Sequence, residues 1–134
     1  MKVLLVGNGA REHSLAWKLR QSPGLKELVI APGNAGTADI GLNVPISSTD
    51  VNSLLRYARD QKIDFTVVGP EVPLALGIVD KFQDAGIPIF GPTMGAARVE
   101  TSKSFAKELM LRYGVPTGNA MIFDDYFEAS RYVQ

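Results

Sequence analysis

The sequence contains no cysteine, a single histidine and no excess of charge of either sign. Without cysteine the chain can form neither a disulfide framework nor a thiolate metal site, and it has no thiol nucleophile. Fourteen Lys and Arg residues balance fourteen Asp and Glu residues, so there is no broad cationic field for nucleic acid or an anionic membrane. No apolar run approaches the roughly 18 residues of a membrane span. We therefore expect a protein of a reducing compartment, the cytoplasm, that binds neither nucleic acid nor membrane.

What the sequence does contain is a regular alternation of apolar segments. The 134 residues, 46% of them apolar and 13 of them glycine, suit one domain with many turns. Short runs without polar alternation, at residues 2–6, 28–31, 65–68 and 87–90, are typical of strands covered on both faces. Stretches with helical spacing separate these runs. The alternation predicts an α/β fold with a doubly wound, mostly parallel sheet.

Several element boundaries can be predicted from single residues. Asp50 is expected to cap a helix whose apolar residues follow at helical spacing. A short edge strand is expected near residues 43–45, and one continuous helix near residues 73–86. Further along, Thr93 is expected to cap one helix and Thr101 another.

The pattern changes near residue 100 and predicts three parts. Residues 1–100 form a Rossmann-like substrate-binding domain, residues 101–116 a connecting helix, and residues 117–134 the beginning of a second domain. Within the last part we expect a strand at residues 120–123 and an amphipathic helix opened by Asp124-Asp125. That helical pattern runs to the last residue without a cap. We therefore expect the second domain to be incomplete in this chain.

Four glycine-containing loops follow the predicted strands: loop 1 (residues 7–13), loop 2 (residues 32–37), loop 3 (residues 69–71) and loop 4 (residues 91–93). The carboxyl ends of parallel strands lie at one edge of the sheet, and ligands of open α/β sheets collect there. Each loop is also explicable as turn chemistry. Together the four loops predict a binding site at that edge.

Loop 1 matches the dinucleotide-binding fingerprint only in part. Gly7 and Gly9 fit the pattern G-x-G-x-x-G, but Glu12 stands in place of the third glycine. The second strand is followed by residues 31–33, Ala-Pro-Gly, where a dinucleotide site has an acid for the ribose diol. A fragment of a nicotinamide-dependent oxidoreductase is therefore only an alternative, beside a stand-alone module that binds a phosphosugar or a nucleotide.

Several polar side chains of the loops have both a functional and a structural interpretation. Loop 1 leads into a helix N-terminus, which favours a phosphate through its N–H groups and its dipole. Arg11 opposes that dipole, so it either meets an anion or is solvated or salt-bridged. Glu12 is either a favourable first-turn acid or a ribose or amine ligand. Glu71 meets sugar hydroxyls or an amine, or caps the next helix. Asn34 and Thr37 donate to an anion or stabilise an Asx-type turn.

Six sequence words carry a resemblance to a known family. They are VGNGAREH (residues 6–13), APGNAGT (31–37), VGPEVPL (68–74), FGPT (90–93), SKSFAK (102–107) and YGVPT (113–117). In order and spacing they resemble the phosphoribosylamine–glycine ligases, also called glycinamide ribonucleotide synthetases, of the ATP-grasp superfamily. The resemblance covers essentially the whole chain, so it is far more specific than any one glycine loop.

The resemblance implies ATP-dependent joining of glycine to 5-phosphoribosylamine in purine synthesis, which gives glycinamide ribonucleotide, ADP and phosphate. It implies ATP with Mg²⁺ or Mn²⁺ as cofactors and an N-terminal domain that helps to bind phosphoribosylamine. The oligomeric state is left open by the sequence, and a monomer is our expectation. The family's metal carboxylates and its glycine-rich phosphate loop would lie beyond residue 134. We therefore expect no catalytic residue and no metal ligand within this chain, and no ligase activity from the chain alone.

By the same resemblance, seven residues are expected to bind phosphoribosylamine: Asn8, Gly9, Arg11, Glu12, Asn34, Gly36 and Glu71. The first three are assigned to the 5-phosphate, and Glu71 to the ribose or its amine. Lys103 opens a helix where a lysine of ATP-grasp enzymes contacts ATP phosphates, although a solvated lysine is the alternative. His13 is expected to pack or cap rather than to catalyse.

Overall fold

Strands alternate with helices through the first ninety residues of the chain. The computed structural model describes all 134 residues. In chain order the elements are β1 (Lys2–Gly7), α1 (Ala10–Arg20), β2 (Glu27–Pro32), α2 (Ala35–Ala38), β3 (Leu42–Asn43), α3 (Val51–Asp60), β4 (Phe65–Val68), α4 (Glu71–Ala75), α5 (Ile78–Asp84), β5 (Ile89–Phe90), α6 (Met94–Thr101), α7 (Lys103–Arg112) and α8 (Tyr126–Val133). None of the helices combines the length and the apolarity that a membrane crossing requires.

The five strands form one sheet in the order β3-β2-β1-β4-β5, and every neighbouring pair is parallel. The first strand is central: Leu4 pairs with Val29 on one side and with Thr66 on the other. The chain first builds outward from β1 through β2 and β3, and then returns to the other side of β1. The predicted doubly wound parallel sheet is confirmed. The carboxyl edge between β1 and β4 is its topological switch point, where ligands bind in such sheets.

Both faces of β1 are buried. Leu4 packs in one apolar cluster with Phe82 of α5, whereas Leu5 packs in a second cluster with Ala16 of α1. All four side chains are fully buried. Because successive strand residues point to opposite faces, a strand covered on both sides needs an apolar residue at every position. This explains the absence of polar alternation in its sequence.

The helix predicted after Asp50 is confirmed as α3. Asp50 Oδ1 accepts a hydrogen bond from the Ser53 N–H at 3.0 Å and so caps the helix. That bond is the main reason why the pKa of the Asp50 carboxyl is lowered, with smaller contributions from the Ser53 hydroxyl and the charge of Arg56. Val51 and Leu54 bury their side chains in the core. The cap and the apolar face therefore both indicate that α3 begins at Val51.

Two helix predictions are wrong. The single helix expected over residues 73–86 is divided into α4 and α5, because Gly77 adopts a left-handed backbone conformation with φ of 75°. Thr101 does not cap the following helix, since it is the last residue of α6. Ser102 caps α7 instead, and its hydroxyl accepts from the Phe105 N–H at 3.4 Å.

The chain divides into two compact units, Met1–Ala97 and Arg98–Gln134. In the second unit the strand expected at residues 120–123 is wrong, because these residues form neither strand nor helix. A single extended segment leaves its backbone groups unpaired, and this unit contains no other strand. The helix predicted to open at Asp124-Asp125 is confirmed as α8: the Asp125 carboxylate accepts from the Glu128 N–H at 3.0 Å.

Thr66, in the middle of β4, is fully buried, and its hydroxyl has no hydrogen-bond partner. Valine has nearly the same shape and lacks the hydroxyl, so the desolvation cost of that group disappears. We expect Thr66→Val to raise the free energy of unfolding by about 1 kcal/mol. Urea denaturation at an unchanged m-value measures this. An equal or lower stability would contradict the view that this hydroxyl is unpaired.

Candidate functional site

Loops 1 to 4 lie at the carboxyl edge of the sheet, and hydrogen bonds join the first three. Loop 1 follows β1, loop 3 follows the neighbouring β4, and loop 2 follows β2 on the other side. Asn34 Nδ2 donates to the Asn8 carbonyl oxygen at 2.9 Å and connects loop 2 to loop 1. Arg11 Nη1 donates to the Gly69 carbonyl oxygen at 2.7 Å and connects loop 1 to loop 3. The structure therefore brings together all the predicted phosphoribosylamine-binding residues.

The N-terminus of α1 presents free hydrogen-bond donors at this edge. Gly9 occupies the cap position and has no side chain to accept from the first turn. The N–H groups of Ala10, Arg11 and Glu12 have no acceptor in the chain, and the His13 N–H is the first to bond back, to the Gly9 carbonyl at 3.0 Å. Unpaired donors of this kind, together with the helix dipole, form an anion-binding site.

Arg11 reaches across the switch point from loop 1 to loop 3. Beyond its bond to Gly69, its Nη1 lies 3.8 Å from Glu71 Oε2. The two side chains are 60% and 44% exposed, and an ion pair in such a setting contributes about 1 kcal/mol or less. The remaining guanidinium donors have no protein acceptor. The salt-bridge interpretation thus describes the observed contact, while an anion can still bind the same guanidinium.

Glu12 lies beneath loop 1 rather than on the surface of the site. It is 3% exposed, and its Oε2 accepts from the Gly9 N–H at 2.6 Å. An added Cβ on Gly7 would lie 2.5 Å from Glu12 Cγ, and one on Gly69 would also overlap the carboxylate. This burial disagrees with the interpretation of Glu12 as a ribose or amine ligand. As a first-turn acid it determines the shape of loop 1.

Asn34 also has a structural contact for each side-chain polar atom. Its Oδ1 accepts from the Thr37 N–H at 3.0 Å and caps α2. Its Nδ2 donates to the carbonyl oxygens of Asn8, at 2.9 Å, and Gly9, at 3.4 Å. Of the two interpretations of Asn34, the turn-stabilising one is observed. The side chain contacts loop 1 rather than open space where an anion would bind.

Asn43 takes part in the same contacts and was not predicted as a site residue. Its Nδ2 donates to the Asn34 carbonyl oxygen at 2.8 Å, and its Oδ1 lies 2.9 Å from Thr37 Oγ1. The Thr37 side chain is fully buried. One feature of the sequence could have identified Asn43, namely its position between Leu42 and Val44. A half-buried amide in a short apolar strand requires a hydrogen-bond partner.

Gly36 lies against the imidazole of His13. A Cβ at position 36 would be 2.7 Å from His13 Nδ1, so this histidine packs as expected. An open groove of about 550 Å³ runs along α1 and is lined by Ala10, His13, Ser14, Trp17 and Lys18. It contains none of the residues predicted to bind phosphoribosylamine.

The predicted nucleotide residue lies in the second unit. Lys103 is the first residue of α7, and its side chain is exposed. No group of three His, Asp or Glu side chains is arranged to hold a metal ion. The residues of this chain alone therefore do not fit a Mg²⁺ or Mn²⁺ site.

The family model for the N domain of phosphoribosylglycinamide synthetase matches residues 1–100. The chain belongs to this family. A phosphoribosylamine–glycine ligase of Escherichia coli strain K12 is 51% identical over 136 aligned positions, which cover the whole chain but only 32% of that ligase. The chain thus spans about a third of the length of the relatives it matches. The resemblance predicted from the sequence words, to an N-terminal portion of such a ligase, is confirmed.

Solved structures agree with this family assignment. The crystal structure of phosphoribosylamine–glycine ligase from Thermotoga maritima has a TM-score of 0.73 and 27% identity, covering 99% of this chain and 30% of that one. The biotin carboxylase domain of a Hydrogenobacter thermophilus 2-oxoglutarate carboxylase, solved with MgADP and bicarbonate, has a TM-score of 0.71 at 18% identity, covering 98% of this chain and 32% of that one. The second likeness shows a shared fold alone.

The packing of Glu12 against Gly69 can be tested by a double-mutant cycle. The φ of Gly69 is not in the left-handed region, so only the space beside Glu12 demands glycine there. We expect Gly69→Ala to destabilise the protein by about 1–3 kcal/mol through overpacking. In a Glu12→Ala background the same change should cost much less.

Urea denaturation of the four proteins in the cycle gives both costs. Gly24→Ala is the matched control, because a Cβ there would meet nothing within 4 Å. An equal cost of Gly69→Ala in both backgrounds would contradict the contact.

Proposed function

We propose that this chain binds a ribose phosphate at loops 1 to 3, as the phosphoribosylamine-binding part of an ATP-dependent, ADP-forming phosphoribosylamine–glycine ligase of purine synthesis. The observation that carries the proposal is the row of unpaired N–H groups at the start of α1, beside a partly free arginine at the switch point of the sheet. Family membership supports the choice of ligand, because the matched relatives are named for phosphoribosylamine.

The 5-phosphate is assigned to the N-terminus of α1. The free N–H groups of its first turn donate to the phosphate, and Arg11 supplies charge and a planar pair of donors. The exposed Asn8 lies at the same edge. The Gly9 N–H is already bonded to Glu12, so the contribution of Gly9 is space for close approach. Glu71 is assigned to the ribose hydroxyls or the amine, because it is released when Arg11 turns to the phosphate.

The joining reaction itself is not assigned to residues of this chain. Activation of the glycine carboxylate by ATP is a phosphoryl transfer, which depends on positioned metal ions and cationic groups. We propose that the 134-residue chain binds phosphoribosylamine but does not catalyse ligation alone. Lys103 is proposed to contact ATP phosphates, with Mg²⁺ or Mn²⁺ held by other parts of a complete ligase. We further propose that the protein is cytoplasmic and monomeric.

Calorimetric titration of the chain with ribose 5-phosphate, ATP and NAD tests this function against its alternatives. We expect saturable binding of ribose 5-phosphate at one site per chain and no binding of NAD. Binding of NAD without a response to ribose 5-phosphate would reject the proposal in favour of a dinucleotide module. Binding of ATP alone would indicate a nucleotide-binding module.

Arg11→Ala tests the phosphate assignment directly. The loss of a charge-assisted contact of about 1.5–3 kcal/mol should lower the affinity for ribose 5-phosphate roughly ten- to hundredfold. Arg20→Ala is the matched control, because Arg20 lies in the last turn of the same helix and is exposed. Ribose, which lacks the phosphate, is the control ligand. Its affinity should be the same for Arg11→Ala and Arg20→Ala. Equal affinities of Arg11→Ala and Arg20→Ala for ribose 5-phosphate would show that Arg11 does not bind the phosphate.

A further inference from the structure

A polar network lies behind loop 1, formed by Asn34, Thr37 and Asn43. We call it the Asn34 network. Thr37 Oγ1 accepts from the Asn34 N–H at 2.7 Å and lies 2.9 Å from both the Asn34 carbonyl oxygen and Asn43 Oδ1. Asn43 Nδ2 donates to the same carbonyl at 2.8 Å. Both backbone polar groups of Asn34 are therefore held by side chains, and the orientation of its own side chain is fixed.

That side chain in turn holds the backbone of loop 1. In a planar trans peptide the C=O and the N–H point in opposite directions. The Asn8 carbonyl, which accepts from Asn34 at 2.9 Å, shares a peptide unit with the Gly9 N–H, which donates to Glu12 at 2.6 Å. This peptide is therefore held at both ends. The next unit joins the Gly9 carbonyl, 3.4 Å from Asn34 Nδ2, to the N–H of Ala10, the first free donor of α1.

We propose that Asn34 is a positioning residue for the ribosyl-phosphate site. Held by Thr37 and Asn43, it orients the two peptides that follow Asn8 and so directs the free N–H groups of α1 toward the phosphate. The inference rests on the proposed function, because it assigns these N–H groups to a phosphate. The Asn34 network itself needs no contact with the ligand.

The arrangement separates this role from that of a simple helix cap. Capping of α2 uses only Asn34 Oδ1, whereas the bridge to loop 1 uses only Nδ2. The remaining contacts of the network lie within residues 34–43 and do not reach loop 1. Without the bridge, loop 1 must be ordered each time a ligand binds, and this ordering costs free energy. The affinity therefore falls although no contact with the ligand is lost.

Asn34→Ser separates the two roles. Serine is a good N-cap and accepts from the same N–H, but its short hydroxyl does not replace the amide bridge. We expect Asn34→Ser to weaken binding of ribose 5-phosphate roughly three- to tenfold, the effect of one lost hydrogen bond. The amide hydrogen of Gly9, which is bonded to Glu12, should exchange faster in the ligand-free protein, which a purely local cap on α2 would not cause.

Thr37 tests the Asn34 network at an uncharged residue that holds Asn34 but does not itself contact loop 1. Thr37→Val removes the hydroxyl and should weaken binding in the same range, and Thr37→Ser should restore it. Thr66→Val is the matched control, since Thr66 is also fully buried but its hydroxyl has no hydrogen-bond partner, and we expect unchanged affinity. Urea denaturation of each variant gives the folded fraction by which the affinities are corrected.

The outcomes distinguish the inference from the function on which it rests. Weaker binding by Asn34→Ser and Thr37→Val, with wild-type binding by Thr37→Ser and Thr66→Val, supports the positioning role. Wild-type affinity in all four variants overturns the positioning role and leaves the phosphate site intact. If the unmodified chain does not bind ribose 5-phosphate at all, the proposed function fails and the inference fails with it.

Discussion

The carboxylate of Glu12, inserted between the ends of β1 and β4, is the contact on which the geometry of the loop cluster depends. A buried carboxylate needs a hydrogen-bond donor, and the Gly9 N–H at 2.6 Å supplies it. Space for the side chain exists only because Gly7 and Gly69 have no Cβ. Since the Gly9 N–H turns inward to Glu12, the free donors of the edge begin one residue later, where α1 starts.

Polar residues at this edge fall into two layers with different energetics. The inner layer, Glu12 and Asn34, uses its polar atoms on the backbone of loop 1, and leaving such groups unpaired is costly. The outer layer, Arg11 and Glu71, forms an exposed ion pair that is easily exchanged for another partner. A preorganised binding site requires a backbone that is already held in place and charged side chains that can exchange their partners for the ligand. All four residues were predicted as ligands from the sequence, because a sequence motif does not show how deeply a side chain is buried.

Local signals predicted much of the fold, and long-range contacts account for most of the errors. The cap at Asp50 involves residues three apart and could be predicted directly. Burial of Glu12 depends on Gly69, a distant neighbour that only the folded sheet supplies. The break at Gly77 was missed because the apolar spacing continues across it. Residues 120–123 have the composition of a strand, but a strand requires a partner as well as a sequence.

The bond from Arg11 to Gly69 joins residues 58 positions apart, and this separation has a consequence for the order of folding. The first β-α-β segment can close early, because β1 and β2 are near in sequence. Pairing of β1 with β4 must close a longer loop, which costs more conformational entropy and is slower. The crevice between loop 1 and loop 3 therefore exists only in forms of the chain in which β1 has paired with β4. A ligand that binds there stabilises those forms and not a chain in which only the first β-α-β segment has formed.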